Sequence, residues 1–401
     1  MTTYGRYPIT MVRGEGTHLW DDTGKEYIDF VAGISTCCLG HAHPALAAAV
    51  TKQINTVHHV SNLYYIPQQG KLAEWLVRNS PADRAFFCNS GAEANEAAIK
   101  LARKHASTVL GLDDPVIITA LNSFHGRTLG ALSATGQEKY QKGFGPLVPG
   151  FTHVPYNDID ALRKCADEIT QSSSAGRGVA AIMLEALQGE GGIRPGDKDF
   201  FKEARKICDE TGALLICDEV QVGMGRTGEL WGFENTGVEP DVFTLAKALG
   251  AGVPIGCMMS KASCAVFEAG DHASTYGGNP LACAAGLAVT HAIDNDGLIA
   301  NVVARGAQLK LGLEELIQEH PRLLKEARGW GLIQGLEISE DSGVTAGQMV
   351  GAAIEEGLLL VPAGTHVVRF VPPLVVTEDD VTEALTIIKK VIIGFEKASD
   401  V

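Results

Sequence analysis

The stretch ALLICDEVQ, residues 213–221, decides the fold. It consists of five apolar residues followed at once by a mostly polar group. A short, near-continuous apolar run of this kind is typical of a strand that is buried on both faces of a parallel sheet. In such sheets ligands bind at the carboxyl ends of the strands, so Asp218, directly after the run, lies where chemistry is expected.

Three further apolar runs have the same form, and helical patterns such as residues 198–211 separate them. The runs are residues 115–119, 179–184 and 242–245. This alternation predicts an α/β domain in which helices cover both faces of a mainly parallel central sheet. A hairpin over residues 18–30, and strands near 332–338 and 366–371 after a turn at 277–280, predict a second, smaller domain. A surface loop is expected at residues 172–176.

Polar residues follow several of these strands. Glu185 ends one run, Lys247 lies two residues after another, and Ser90 opens a helix after residue 88. A desolvated lysine has a lowered pKa and attacks carbonyl carbons, and a helix N-terminus binds phosphate. Each residue also has an ordinary explanation, because Lys247 fits a surface lysine, and Ser90 and Asp218 fit helix N-caps.

Bulk properties exclude several functions. The 401 residues carry a formal charge of −15, which disfavours nucleic-acid binding, and no apolar run approaches a membrane span. We expect a cytoplasmic protein whose nine cysteines are reduced and mostly buried. We expect no metal site, because no ligand lies at a matching spacing from His41, His43, His58 or His59. The Gly223–Gly228 stretch matches G-x-G-x-x-G, but no helix follows it, so a dinucleotide site is rejected.

Taken together, the motifs resemble those of the class III, or ω-type, aminotransferases of the fold-type-I pyridoxal-phosphate family along essentially the whole chain. The resemblance is closest to the branch that acts on acetylornithine. The motifs that carry it are GHAHP (40–44), NSGAEANEA (89–97), FHGRT (124–128), EALQGEGG (185–192), DEVQ (218–221), LAKALG (245–250), STYGGNPLA (274–282) and RFVPPL (369–374).

The resemblance implies roles for these residues around pyridoxal 5′-phosphate. Lys247 binds the cofactor as a Schiff base and then shuttles a proton, and Asp218 pairs with the ring nitrogen. The remaining cofactor contacts that it implies are Ser90, Gly91 and Ala92 on the phosphate, Phe124 on the ring face, Gln221 on the phenolic oxygen, and Val220. Thr275 reaches the phosphate in the neighbouring subunit, so a homodimer with shared active sites is expected. The implied division is a small domain built from both termini, residues 1–48 and 286–401, around a large domain, residues 49–285.

The resemblance also implies how one pocket accepts acetylornithine, 2-oxoglutarate and glutamate. Arg127 binds the carboxylate far from the reacting amine, and Arg369 binds the α-carboxylate of glutamate. Glu190 masks Arg369 when an ω-amine enters, because an unpaired buried charge is costly. Ser274 completes the substrate contacts. The reaction implied is transamination of N2-acetylornithine to N-acetylglutamate 5-semialdehyde, in arginine biosynthesis.

Alternatives stay open at this point. Ornithine, succinylornithine and 4-aminobutyrate aminotransferases, and a mutase, share the general pattern. An NAD-dependent dehydrogenase that uses residues 223–228, or a non-catalytic protein of the same fold, belongs to a different class. The adjacent Cys37 and Cys38 have no assigned role.

Overall fold

The computed structural model describes residues 1–172 and 176–399. In chain order its strands are β1 Met11–Glu15, β2 His18–Asp21, β3 Glu26–Asp29, β4 Arg84–Cys88, β5 Asp114–Ala120, β6 Phe151–Val154, β7 Arg177–Glu185, β8 Leu187–Gln188, β9 Arg194–Pro195, β10 Leu214–Asp218, β11 Val242–Leu245, β12 Gly256–Ser260, β13 Leu324–Trp330, β14 Ile333–Ile338, β15 Leu358–Leu359, β16 Val361–Pro362 and β17 Val367–Phe370. Its helical elements are α1 Ala32–Ser35, α2 Pro44–Ile54, α3 Pro67–Arg78, α4 Gly91–Thr108, α5 Leu129–Ala134, α6 Glu138–Gln141, α7 Ile159–Thr170, α8 Lys198–Thr211, α9 Pro280–Asn295, α10 Leu298–Glu319, α11 Ala346–Glu355 and α12 Glu378–Ser399. Residues 173–175 of the predicted surface loop lie outside the described residues.

The central sheet has seven strands in the order β4-β12-β11-β10-β7-β5-β6. Its pairings from β11 to β6 are parallel, and Asp218 lies opposite both Glu185 and Thr244. Only β12 within this sheet runs the other way, antiparallel to both β4 and β11. The predicted α/β fold with a mainly parallel sheet is therefore confirmed, and the strand register brings several strand ends to one edge.

Apolar side chains cover both faces of this sheet. On β10, Ile216 belongs to an apolar cluster with Ala98 and Leu101 of α4. Its neighbour Leu215 belongs to a second cluster with Phe200 of α8. Because alternate residues of a strand point to opposite faces, the unbroken apolar run of β10 reflects helices packed on both sides.

Smaller sheets form from the two ends of the chain. Strands β1, β2 and β3 are antiparallel and confirm the predicted hairpin, and β3 also pairs with β15. A second sheet has the order β13-β14-β17-β16, and its β14 and β17 confirm the strands predicted near 332–338 and 366–371. The β3–β15 pairing supports a small domain built from both termini. The proposed boundaries at 48/49 and 285/286, however, lie inside α2 and α9, which pack together, so the division itself remains a proposal.

The element α1 is a left-handed turn. The φ angles of Ala32, Gly33, Ile34 and Ser35 are 47°, 62°, 62° and 61°. Each non-glycine residue in this conformation costs roughly 1–2 kcal/mol. The carboxylate of the buried Asp29 accepts hydrogen bonds from the N–H groups of residues 31 and 32, at 2.9 and 2.8 Å, and these bonds stabilise the turn. The next residue, Thr36, lines the cavity described below.

No helix among the described residues is both long and apolar enough to cross a bilayer. No group of three or more His, Cys, Asp or Glu side chains in this part of the chain is arranged as a metal site.

Candidate active site

A cavity of about 410 Å³ opens at the carboxyl edge of the central sheet. A cavity of this size suits a small-molecule ligand. Nine of the predicted site residues line it: Ser90, Gly91, Ala92, Phe124, Arg127, Asp218, Val220, Gln221 and Lys247. They come from four separate segments of the chain, and the parallel strand order brings these segments together.

Asp218 is buried at the end of β10, and its carboxylate has three partners. One oxygen accepts hydrogen bonds from Asn95 Nδ2 at 2.7 Å and pairs with His125 Nδ1 at 2.8 Å. The other accepts from the N–H of Val220 at 3.0 Å, so the side chain caps a turn and not a helix. Thr244 in turn donates to Asn95 at 2.7 Å. This network fixes the orientation of a carboxylate that borders the cavity.

Lys247 begins the turn after β11. Its φ angle is 45°, in the left-handed region that non-glycine residues rarely adopt. Its side chain is partly buried in the cavity wall, and among the described residues no hydrogen bond or ion pair holds Nζ. Burial, and then the charge of Arg369, lower the pKa of Lys247 to about 8. More of its amine is therefore neutral and nucleophilic near neutral pH than in a surface lysine.

The start of α4 forms another wall. Ser90 is its N-cap, and its hydroxyl accepts from the N–H of Glu93 at 3.2 Å. The first N–H groups of a helix have no acceptor within the helix, so those of Gly91 and Ala92 are available to an anion. A Cβ atom on Gly91 would lie 2.6 Å from Val220 Cγ1. The glycine therefore allows helix and strand end to approach closely.

Two residues important to the site were given no role from the sequence, although Glu185 was noted at its strand end. His125 is buried, and its Nε2 has no hydrogen-bond partner within the described residues. Although burial lowers the pKa of His125, its contact with Asp218 raises it overall. Glu185 accepts from the N–H of Phe124 at 3.0 Å, and burial raises its pKa to about 7. The sequence signal for Glu185 was its position at the end of a strand. The signal for His125 was its position next to Phe124 in the FHGRT motif.

Arg369 and Glu190 form an ion pair beside the cavity. Arg369 is 1 % exposed, and its Nη1 lies 2.7 Å from Glu190 Oε1. The same nitrogen donates to Gln221 Oε1 at 2.8 Å, which connects the pair to a cavity-lining residue. Burial raises the pKa of Glu190, but Arg369 holds it below its ordinary value. The pair is therefore ionised near neutral pH, and a carboxylate already occupies Arg369.

Arg127 lies on an exposed part of the cavity wall. Its guanidinium stacks 4.0 Å from the ring centroid of Tyr140 and 5.4 Å from that of Phe124. Within the described residues no carboxylate pairs with it. Arg127 is thus a second cation, and it differs from Arg369 in having no internal counter-ion.

Ser274 and Thr275 do not line the cavity of this chain. The Ser274 hydroxyl accepts from Asn89 Nδ2 at 3.1 Å and from the N–H of Gly277 at 3.0 Å. Thr275 is exposed. The predicted contacts of both residues with ligands remain proposals.

Pyridoxal phosphate fits these groups. The cavity presents an unpaired primary amine on Lys247, a fixed buried carboxylate on Asp218 and the free N–H groups of a helix start. These three groups suit, respectively, the aldehyde, the protonated ring nitrogen and the phosphate of the cofactor. The glycine at position 91 leaves space where a side chain would stand.

Comparison with known proteins agrees with this geometry. Residues 2–392 match the family described as aminotransferase class-III, whose members use pyridoxal 5′-phosphate. The chain is 62% identical to an acetylornithine aminotransferase from Synechocystis sp. over 393 residues, which cover 98% of this chain and 91% of the relative. An equally similar relative, from Thermosynechococcus vestitus, has the same name and 62% identity over 96% of this chain and 93% of its own.

Among solved structures, N-acetylornithine aminotransferase from Stenotrophomonas maltophilia aligns with a TM-score of 0.84 and 38% identity over 98% of each chain. Ornithine aminotransferase from Toxoplasma gondii aligns with a TM-score of 0.93 and 34% identity over 99% of this chain and 93% of its own. The fold is therefore that of the fold-type-I pyridoxal-phosphate enzymes. The chain belongs to the class III aminotransferases.

Proposed function

We propose that this protein transfers the terminal amino group of N2-acetylornithine to 2-oxoglutarate, giving N-acetylglutamate 5-semialdehyde and glutamate, a step of arginine biosynthesis. The names of its relatives at 62% identity support the substrate. The observation that carries the proposal is the Arg369–Glu190 ion pair beside Gln221, together with the separate cation Arg127. Arg127 is always open to a substrate carboxylate, whereas Arg369 can bind one only after Glu190 has moved away.

When bound, pyridoxal phosphate supplies an electron sink that stabilises the carbanion formed next to the reacting nitrogen. Lys247 carries the cofactor, and its Nζ then accepts and returns the substrate proton, a task for which a pKa of about 8 is suited. Asp218 holds the proton of the ring nitrogen, and Asn95 and His125 keep its carboxylate in place. The helix start at Ser90, Gly91 and Ala92 binds the phosphate, and Phe124, Val220 and Gln221 hold the ring.

The two cations orient the two substrates. Acetylornithine has one carboxylate, which Arg127 binds while Glu190 keeps Arg369 occupied. Glutamate and 2-oxoglutarate have two, so Arg127 takes the side-chain carboxylate and the α-carboxylate displaces Glu190 from Arg369. Charge-assisted, bidentate bonds make arginine suited to both tasks. Ser274 completes the substrate site.

Ornithine is a second candidate substrate, because the structural match to ornithine aminotransferase has a TM-score of 0.93. The identity to that protein is 34%, well below the 62% shared with the acetylornithine enzymes. Free ornithine also carries a charged α-amine. A pocket wall of Leu187, Val253 and Ile255 favours the neutral acetamide over an ammonium group.

We further propose a cytoplasmic homodimer with shared active sites. Thr275 is exposed in a single chain, and Tyr64, Tyr65 and Tyr276 are also largely exposed. Exposed aromatic residues of this kind are typical of protein interfaces. In the dimer Thr275 reaches the partner's cofactor phosphate. The nine free cysteines suit a reducing compartment.

A panel of amine donors tests the substrate. Acetylornithine, succinylornithine, ornithine and 4-aminobutyrate are each supplied with 2-oxoglutarate, and kcat/KM is measured for each. We expect acetylornithine to give the highest value and the Lys247→Ala variant to be inactive with all four. A clear preference for free ornithine would overturn the assignment.

A further inference from the structure

The glycine-rich motif at residues 223–228 has no part in the cavity or in the carboxylate sites. It forms a tight turn, in which the N–H of Gly225 donates to Leu230 O at 3.0 Å and that of Gly228 to Gly225 O at 3.2 Å. Arg226, in its middle, is 1 % exposed and is one of the largest fully buried side chains. A motif that is not used for a nucleotide thus buries a cation in the interior.

Arg226 connects the motif to the C-terminal sheet. Its Nη1 donates to Leu332 O at 3.0 Å and also to Pro372 O, and its own carbonyl accepts from the N–H of Leu332 at 3.1 Å. Leu332 directly precedes β14, and Pro372 closely follows β17. Because these strands are antiparallel, with Gly335 opposite Arg369, both carbonyls lie at the end of the strand pair that carries Arg369.

Burial of Arg226 in this way is unfavourable for the stability of the fold. Among the described residues no carboxylate forms an ion pair with Arg226, and its Nε and Nη2 have no hydrogen-bond partner. Burial lowers its pKa to about 10. A buried, unpaired cation opposes folding, whereas an apolar side chain of similar size does not. The guanidinium does provide donors at fixed angles, which a lysine lacks.

The same chain segment touches Arg369 at a second point. Gln221, five residues before Arg226, accepts from Arg369 Nη1 at 2.8 Å. Residues 218–226 therefore run from Asp218, which borders the cavity, to the β14–β17 strand pair. They contact this pair at Arg369, through Gln221, and at the carbonyl groups of Leu332 and Pro372, through Arg226.

We propose that Arg226 is a positioning residue that sets the distance between Arg369 and the cofactor cavity, and thereby the affinity for the α-carboxylate of a glutamate-like dicarboxylate. The inference rests on the proposed function, because it takes Arg369 as the α-carboxylate site. Arg226 itself touches neither substrate nor cofactor.

The test compares Arg226→Lys and Arg226→Gln with Asn301→Ala in the holoenzyme. Asn301 Nδ2 donates to Leu374 O at 2.8 Å and Val376 O at 2.9 Å, so it also anchors the segment after β17, but among the described residues its side chain forms no hydrogen bond with the 218–226 segment. Calorimetry gives the Kd of glutarate, an unreactive dicarboxylate. We expect both Arg226 variants to raise this Kd and the KM for 2-oxoglutarate about tenfold or more, because misplacement of a binding group by about 1 Å has effects of this size.

The kcat/KM for acetylornithine in a single turnover should change by less than about twofold in the same variants, since that substrate leaves Arg369 paired. Asn301→Ala should change neither the Kd of glutarate nor the kcat/KM for acetylornithine, whatever the melting temperature of this variant. Equal losses for both substrates, the same pattern in Asn301→Ala, or failure of both Arg226 variants to fold would overturn the proposal. A wild-type enzyme that binds glutarate as stated but does not transaminate acetylornithine would refute only the substrate assignment.

Discussion

Replacing Glu190 with Gln separates the two half-reactions, because it removes the charge that occupies Arg369 and preserves the size of the side chain. The carboxylate oxygen lies 2.7 Å from Arg369 Nη1. A hydrogen bond that involves a charged group contributes about 1.5–3 kcal/mol, and a glutamine that still accepts from the charged guanidinium belongs at the lower end of that range. The substitution therefore weakens the internal contact by roughly 1–1.5 kcal/mol, which is close to tenfold in an equilibrium constant.

The two substrates should respond in opposite directions. Glutamate must displace this contact, so its kcat/KM in Glu190→Gln should rise about tenfold. Acetylornithine requires Arg369 to stay occupied. With the guanidinium open, its single carboxylate binds there in the wrong orientation, and its kcat/KM should fall by a similar factor.

The assay mixes holoenzyme with one amine donor at a time, without keto acid, and follows the cofactor absorbance through a single turnover. Glu203→Gln is the matched control, because Glu203 pairs with Arg163 at 2.5 Å on the surface of the protein and outside the cavity. It should change neither half-reaction. Equal losses for both donors, or a faster reaction with acetylornithine, would refute the reasoning.

Two further predictions concern the cofactor. Recombination of the apoenzyme with pyridoxal phosphate should accelerate with rising pH and level off above about 8, because the pKa of Lys247 is lowered to about 8 and only its neutral amine attacks. In Arg369→Ala the midpoint should move to higher pH, and a wild-type midpoint near the ordinary lysine value would contradict the assignment. Gly91→Ala places a Cβ 2.6 Å from Val220 Cγ1, so it should lower the free energy of unfolding by about 1–3 kcal/mol and weaken cofactor binding in an equilibrium titration. Gly347→Ala, where the nearest atom is 4.0 Å away, should instead stabilise α11 by up to about 1 kcal/mol, and similar effects at both glycines would count against the close approach.

Much of the site was predictable because its residues follow strands directly. Asp218 and Lys247 each come after an apolar run, and parallel strands bring their carboxyl ends to one edge. Ser90 was recognisable as a helix start from its own neighbourhood. These are local features of the sequence. Because parallel strands end at the same edge of the sheet, the residues that follow them lie close together.

Other features depend on contacts between distant parts of the chain. Glu190 and Arg369 are brought together only by the folded chain, and the sequence suggested their pairing through family resemblance alone. Nothing in residues 256–260 distinguishes an antiparallel strand from a parallel one. Ile34 and Ser35 do not favour the left-handed turn α1, which depends on Asp29 and the strands around it. Tertiary contacts outweigh local preference at such places.

The pairing of β3 with β15 has a consequence for biosynthesis. On the side of β3 that faces away from β2, residues 28 and 29 find their sheet partners only at residues 358 and 359. At ribosomal speeds of about 5–20 residues per second, the N-terminal hairpin emerges tens of seconds before that partner exists. The central sheet, whose last strand ends at Ser260, can assemble in the meantime. The hairpin is thus translated long before this neighbour, which leaves a newly made edge strand exposed to other chains in the meantime.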